Sequence, residues 1–141
     1  MAYNIFLDSD VILDFLMERH PYYKDSNKLF EQKIQGVVNI YTTAAIIINT
    51  QYISQKIIGK VKAFQLIQKL IVLFDICSMP KEIILQAYNS SFADVEDAVQ
   101  YYSAAADKSI DFFVTRNVKD YKRADEHLKI ISPAEAIKIL S

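Results

Sequence analysis

Acidic residues cluster at two places in this 141-residue chain, and a polar group at a third belongs with them. The first pair, Asp8 and Asp10, follows the apolar run Ile5-Phe6-Leu7. A short run of that kind fits a strand buried on both faces, as in a parallel sheet. Beyond it, Val11, Ile12, Phe15 and Leu16 fall on one stripe of a helix. Asp8 is therefore expected at the carboxyl end of a strand, where a helix begins. In open α/β sheets that edge is where ligands bind. Two carboxylates so placed suit a hard cation. A second reading stays open on this segment: Asp10 caps the helix after Asp8 turns the corner.

The second group is Asp94-Val95-Glu96-Asp97. On a helix, Asp94 and Asp97 share a face, and Tyr101 falls on that face one turn later. Val95, Ala98, Val99 and Tyr102 are left to bury the other side. Like charges so close are mildly destabilising, and a divalent cation removes that cost. The positive start of a helix also favours Asp94 and Glu96 without any ligand, though it accounts for Asp97 less well. The third group, Thr115-Arg116-Asn117, follows the apolar stretch Ile110 to Val114 and again puts small polar groups at a strand's end. If the first and fourth strands are neighbours, Asp8, Asp97 and Asn117 converge. Arg116, Lys119, Lys122 and Arg123 then stand where a phosphate backbone would pass.

The elements that must position these groups alternate. Helices are expected from Val11 to before Pro21 and over Tyr22 to Gln35, the second closed by Gly36. Val37 to Tyr41 reads as the second strand. A helix follows from about Thr43, because no turn residue is available for another strand. Gly59 separates it from a helix over Lys60 to Lys69. Leu70 to Cys77 reads as the third strand, and Pro80 starts a helix reaching about Asn89. Ser91 and Asp94 form a capping-box pattern for the next helix. Ile110 to Thr115 and Lys129 to Ile131 are the last two strands. Ser132-Pro133-Ala134-Glu135 is the clearest helix start in the chain. This alternation implies an α/β domain with a mainly parallel sheet.

Composition narrows the function classes. Residues 1–141 read as one domain, 52% apolar and 23% charged. No apolar run approaches the roughly 20 residues of a membrane helix. The first residues lack the basic region of a signal peptide, and a single cysteine, Cys77, fits a reducing cytoplasm. Two glycines are too few for phosphate loops or dinucleotide fingerprints. His20 and His127 match no zinc spacing and are expected at the surface. A net charge of −1 argues against binding nucleic acid by bulk charge, not against an acidic metal centre with a basic rim.

The order of motifs is a strand ending in Leu7-Asp8, then Asp94-x-Glu96-Asp97-Ala98 on a helix, then Val114-Thr115-Arg116-Asn117 with Asp120-Tyr121 following. That order resembles the PIN domain family of metal-dependent ribonucleases, in particular its bacterial VapC-like branch, over nearly the whole chain. The resemblance implies a three-layer α/β/α sandwich around a central sheet, a carboxylate cluster holding Mg²⁺ or Mn²⁺, and cleavage of RNA. It implies that Asp8 and Asp97 are the metal-binding carboxylates, that Asp94 assists by orienting water, and that Asn117 takes the last catalytic position. It further implies a toxin–antitoxin pairing with an antitoxin protein, a homodimer, for which the apolar helices Thr43 to Lys69 offer a surface, and a cytoplasmic location. Arg116, Lys119 and Lys122 are the candidate RNA contacts. The chain departs from the family in one respect. Asn49 occupies the place of the family's usual glutamate, so metal affinity should fall.

Two rivals stand beside this reading. Asp8-Ser9-Asp10 also resembles the Asp-x-Asp motif of haloacid-dehalogenase-like phosphatases, with Thr115 as a second motif. That family's later acidic pair comes after its threonine and lysine, whereas Asp94 and Asp97 come before Thr115. The other rival is a PIN-like module, short of its glutamate, that binds RNA or protein without cutting.

Overall fold

Ile5, Phe6 and Leu7 are fully buried because the strand that carries them lies at the centre of a five-stranded sheet. The computed structural model describes residues 2–141. In chain order the elements are β1 (Tyr3–Leu7), α1 (Ser9–Leu16), α2 (Tyr23–Ile34), β2 (Val38–Thr43), α3 (Ala44–Ile58), α4 (Lys60–Ile71) and β3 (Phe74–Cys77). They continue with α5 (Lys81–Tyr88), α6 (Val95–Ala106), β4 (Phe112–Val114), a 3₁₀ turn (Val118–Tyr121), β5 (Lys129–Ile131) and α7 (Pro133–Leu140). The strand order is β3-β2-β1-β4-β5. Every pairing is parallel, so the sheet is wholly rather than mainly parallel.

The layers follow from the connections. Crossover connections carry the chain from β1 outward to β2 and β3, then back across to β4 and β5. Contacts accordingly group α1 with α2 and α3, α3 with α4, and α2 with α7, while α5 packs on α6. The result is the expected α/β/α sandwich. β1 pairs with β2 on one side (Ile5 opposite Ile40) and with β4 on the other (Leu7 opposite Val114). The chain reverses its direction of travel across the sheet between β1 and β4. Their carboxyl ends therefore flank a topological switch point, the natural crevice of an open α/β sheet.

Local chemistry explains most element ends and several departures, although α1 stops at Leu16, short of Pro21. β2 runs to Thr43, and α3 begins at the next residue without a turn, because the Thr43 hydroxyl itself accepts the Ile46 N–H at 3.2 Å. β3 starts at Phe74 rather than Leu70. Leu70 closes a buried helical stripe with Ala63 and Ile67, and α4 claims it. The N-cap of α6 is Asp94, whose carboxylate accepts the Asp97 N–H at 3.1 Å, and not Ser91 three residues earlier. β4 is shorter at both ends than the apolar stretch suggested.

At α7 the expected capping box forms: Ser132 Oγ accepts from Glu135 N and Glu135 Oε1 accepts from Ser132 N. Ser132→Ala is expected to lower unfolding free energy by about 1 kcal/mol in urea denaturation.

Candidate active site

Asp8 follows the last residue of β1 and is the N-cap of α1. Its Oδ1 accepts the Ser9 N–H at 2.8 Å. Its Oδ2 accepts the hydroxyls of Thr115 at 3.0 Å and Tyr121 at 2.8 Å. Both oxygens of this buried carboxylate are thus engaged. Asp10, in the first turn of α1, turns Oδ2 toward the loop after β4. There it accepts the Arg116 N–H at 3.0 Å and the Asn117 side-chain amide at 3.1 Å, with the Thr115 hydroxyl 3.3 Å away. Its other oxygen, Oδ1, is buried and has no partner. So Asp10 does not cap α1, and Asp8 does.

α6 brings in the third carboxylate. Its placement depends on buried contacts: Gln100 accepts the Thr43 hydroxyl at 2.7 Å, and Tyr101 donates to the Leu128 carbonyl at 3.3 Å. Asp97 then faces Asp8 across the Tyr121 hydroxyl, which lies 3.3 Å from Asp97 Oδ1. The Tyr121 ring is held against Phe113 (centroids 4.7 Å apart) and Phe92 (6.0 Å). Tyr101 shares a helix face with Asp97 but is fully buried and points into the core. The tyrosine at the site comes from the loop after β4 instead.

Crowding leaves these acids reluctant to ionise. Burial is the main cause in each case. It raises Asp8 above the usual carboxylate range, against the hydrogen bonds from Tyr121, Ser9 and Thr115. Asp10 is pushed up to about 6 by burial and by the charge of Asp8. Asp97 is pushed up to about 7 by burial, then by Asp94 and Asp8. The Tyr121 phenol is raised far above its ordinary value by burial and by Asp8 and Asp97, so it remains a neutral donor.

A carboxyl raised in the folded state contributes stability that is fully present below its unfolded value and lost as pH rises through its folded one. For Asp97 that window runs from about 4 to about 7. Thermal melts without divalent cations are expected to show a smaller loss across that window in Asp97→Asn than in the parent. Equal losses would contradict the crowding.

A divalent cation fits this donor set. Carboxylate oxygens are hard ligands, Asp10 Oδ1 is an orphaned buried oxygen, and the charge of Asp8 raises both Asp10 and Asp97. Among the described residues, no three acidic, histidine or cysteine side chains already stand together at ligating positions. Asp8 and Asp97 are instead bridged by one hydroxyl and Asp8 and Asp10 by another.

Beside Asp97 opens a cleft of about 500 Å³, lined by Ser91, Asp94, Asp97, Lys119, Lys122 and Arg123 among others. Lys119 and Lys122 are exposed on its rim. Arg116 is not among its lining residues: its guanidinium makes two hydrogen bonds to Asp14, at 2.8 and 3.1 Å, and lies 3.8 Å over the Tyr22 ring. Asn117 meets Asp10 rather than Asp8. Asp94 caps α6 and lines the cleft. Asn49 is half-buried in the second turn of α3, the helix that packs on α1. His20 and His127 are at the surface. Tyr121 stood in the motif order, but neither its contact with Asp8 nor the Asp14–Arg116 pair had a signal in spacing, since Asp8 and Tyr121 are 113 positions apart.

A family model described as PIN domain matches residues 4–119. A search of curated proteins finds no match. Among solved structures, VapBC2 from Rickettsia felis bound to a DNA fragment from its promoter aligns with a TM-score of 0.68 at 15% identity, covering 92% of this chain and 98% of that one. A toxin–antitoxin complex from Klebsiella pneumoniae aligns with a TM-score of 0.65 at 15% identity, covering 92% and 97%. A protein of Pyrobaculum aerophilum aligns with a TM-score of 0.64 at 14% identity, covering 99% and 98%. At such identities the solved structures share this chain's fold.

Proposed function

The chain belongs to the PIN domain family, and from that premise we propose that it is a divalent-cation-dependent endoribonuclease, the toxin of a toxin–antitoxin pair. One observation carries the reading: at the β1–β4 switch point the Asp8 carboxylate shares one hydroxyl with Asp10 and another with Asp97, and repels both, next to a cleft with Lys119 and Lys122 on its rim. Residues 1–141 are taken as one such domain. Asp8 and Asp97, with Asp10 beside them, are the residues that would hold Mg²⁺ or Mn²⁺. When bound, the cation supplies charge neutralisation on a phosphodiester and an acidified water.

The chain's own groups do the rest. Lys119 and Lys122 on the cleft rim meet the phosphates of a single strand. Asp94, fixed by its cap bond, accepts from water entering the cleft. Thr115 and Asn117 orient the carboxylates of Asp8 and Asp10.

The partner reading rests on a second surface. Ile48, Tyr52 and Phe64 are more than half exposed. They line an open groove of about 700 Å³ between α3 and α4, a face suited to an antitoxin or to a second copy. Related folds in the Rickettsia and Klebsiella structures are components of toxin–antitoxin assemblies, which supports the same reading. No helix among the described residues is long and apolar enough to cross a membrane, as a cytoplasmic location requires.

The test is RNA cleavage with Mn²⁺ or Mg²⁺ and with chelator. Metal-dependent cutting supports the proposal. Asn49, with no charge where the family carries a glutamate, favours a second reading, a non-cutting RNA- or protein-binding module. No cutting together with no Mn²⁺ uptake by calorimetry would select it.

A further inference from the structure

One hydroxyl stands where the two candidate metal carboxylates face each other. Tyr121 donates to Asp8 Oδ2 at 2.8 Å and is 3.3 Å from Asp97 Oδ1. Its ring is wedged between Phe113 and Phe92, so the hydroxyl is delivered to that point by packing and not by chance rotation. Tyr121 is 2% exposed. Oxygen ligands of Mg²⁺ or Ca²⁺ lie roughly 2.0–2.6 Å from the ion. The phenol oxygen is farther than that from both carboxylates, as a hydrogen-bonding occupant of the gap would be. Both Asp8 oxygens are already engaged, Oδ1 by the Ser9 N–H and Oδ2 by the hydroxyls of Thr115 and Tyr121.

Resting on the cation reading of this site, we propose that the Tyr121 hydroxyl is a built-in competitor for the Asp8–Asp97 gap, which a divalent cation must displace before both carboxylates can ligate it. In the cation-free protein the phenol separates two like charges and donates to one or both. On cation binding it gives up those bonds and the ring stays with its aromatic neighbours. The hydroxyl thus sets a threshold of cation concentration below which the site stays closed on itself. The missing charge at Asn49 lowers affinity by removing attraction; Tyr121 lowers it by adding a competing donor. The two effects are separable.

Calorimetric titration of the full chain with Mn²⁺ compares the parent, Tyr121→Phe and Tyr102→Phe. Phenylalanine keeps the ring packing and removes only the donor. Tyr102 is the control, because its hydroxyl donates at 2.8 Å to Asp125, away from the carboxylate cluster. Tyr121→Phe is expected to bind Mn²⁺ about threefold to tenfold more tightly, the size of one net hydrogen bond, with Tyr102→Phe unchanged. Its melting temperature without cation should be lower than the parent's, and its gain on adding Mn²⁺ larger. Equal affinity overturns the inference while leaving the cation site intact. Weaker binding in Tyr121→Phe also overturns it, because the phenol would then be a ligand. Absence of Mn²⁺ binding in both parent and variant overturns the cation reading and this inference together.

Discussion

Asp97→Asn is expected to reduce Mn²⁺-dependent RNA cleavage by at least about 100-fold, since even outer-shell partners of a metal site are worth roughly 10–100-fold. The substitution removes one charge and keeps size and shape. Asp97 lies at the cleft, half-exposed, and its backbone N–H, not its side chain, donates the cap bond to Asp94. The fold therefore does not depend on its charge. Removing that charge relieves repulsion with Asp94 and Asp8, so stability without cation should rise while activity falls. Opposite movement of the two readouts separates a lost ligand from a damaged fold. Asp8→Asn should abolish cleavage as well, but less cleanly. Asp8 accepts from Ser9, Thr115 and Tyr121, and an amide can accept through only one of its two side-chain atoms. Asp75→Asn, on exposed edge strand β3, is the control. Undiminished metal-dependent cutting by Asp97→Asn would remove Asp97 from the site.

Asp14→Ala is expected to cost about 3 kcal/mol of stability, or roughly 10 °C in melting temperature. Asp14 is 1% exposed and accepts from two arginines. Arg19 Nε donates to it at 2.8 Å, and Arg116 donates twice. Removing the carboxylate takes the ion-pair partner from both guanidinium groups and leaves Arg19 only the Asp10 carbonyl at 3.3 Å and Arg116 only the Tyr22 ring. Their partial exposure, 39% and 28%, keeps the loss at the low end of the range for broken buried pairs. The damage extends to the site. Arg116 sits between Thr115 and Asn117, and its own N–H donates to Asp10. With its side chain held only by the Tyr22 ring, the loop that orients Asp8 and Asp10 loosens, and cleavage should fall along with stability. Urea denaturation measures the first effect. A loss under about 1 kcal/mol would mean that the loop is held by its backbone bonds alone.

Residue type and spacing along the chain were enough to locate Asp8 at a strand's carboxyl end. They also placed Asp94 and Asp97 at a helix start, Ser132 as the cap of α7, and the alternation that makes a parallel sheet. Each of these is a local property: a period of burial, a capping residue, a break in an apolar run. The order of motifs then pointed to the PIN family, whose model covers residues 4–119.

Element ends were less legible where two local tendencies competed. Leu70 suits a strand by type, yet α4 buries it beside Ala63 and Ile67. Ser91 carries a capping signal, yet Asp94 makes the bond. What spacing left undecided was which distant groups meet. Asp8 and Tyr121, Asp10 and Asn117, and Asp14 and Arg116 are each more than a hundred positions apart. They come together only because β4 returns to lie against β1. The same return brings Tyr121 to the gap between Asp8 and Asp97, while Tyr101, on the same helix face as Asp97, packs into the core against Phe92 and Phe113, its hydroxyl satisfied by the Leu128 carbonyl. Local spacing constrains neighbours within a turn or a strand pair; contacts across the sheet depend on strand order, which is decided by the packing of the whole.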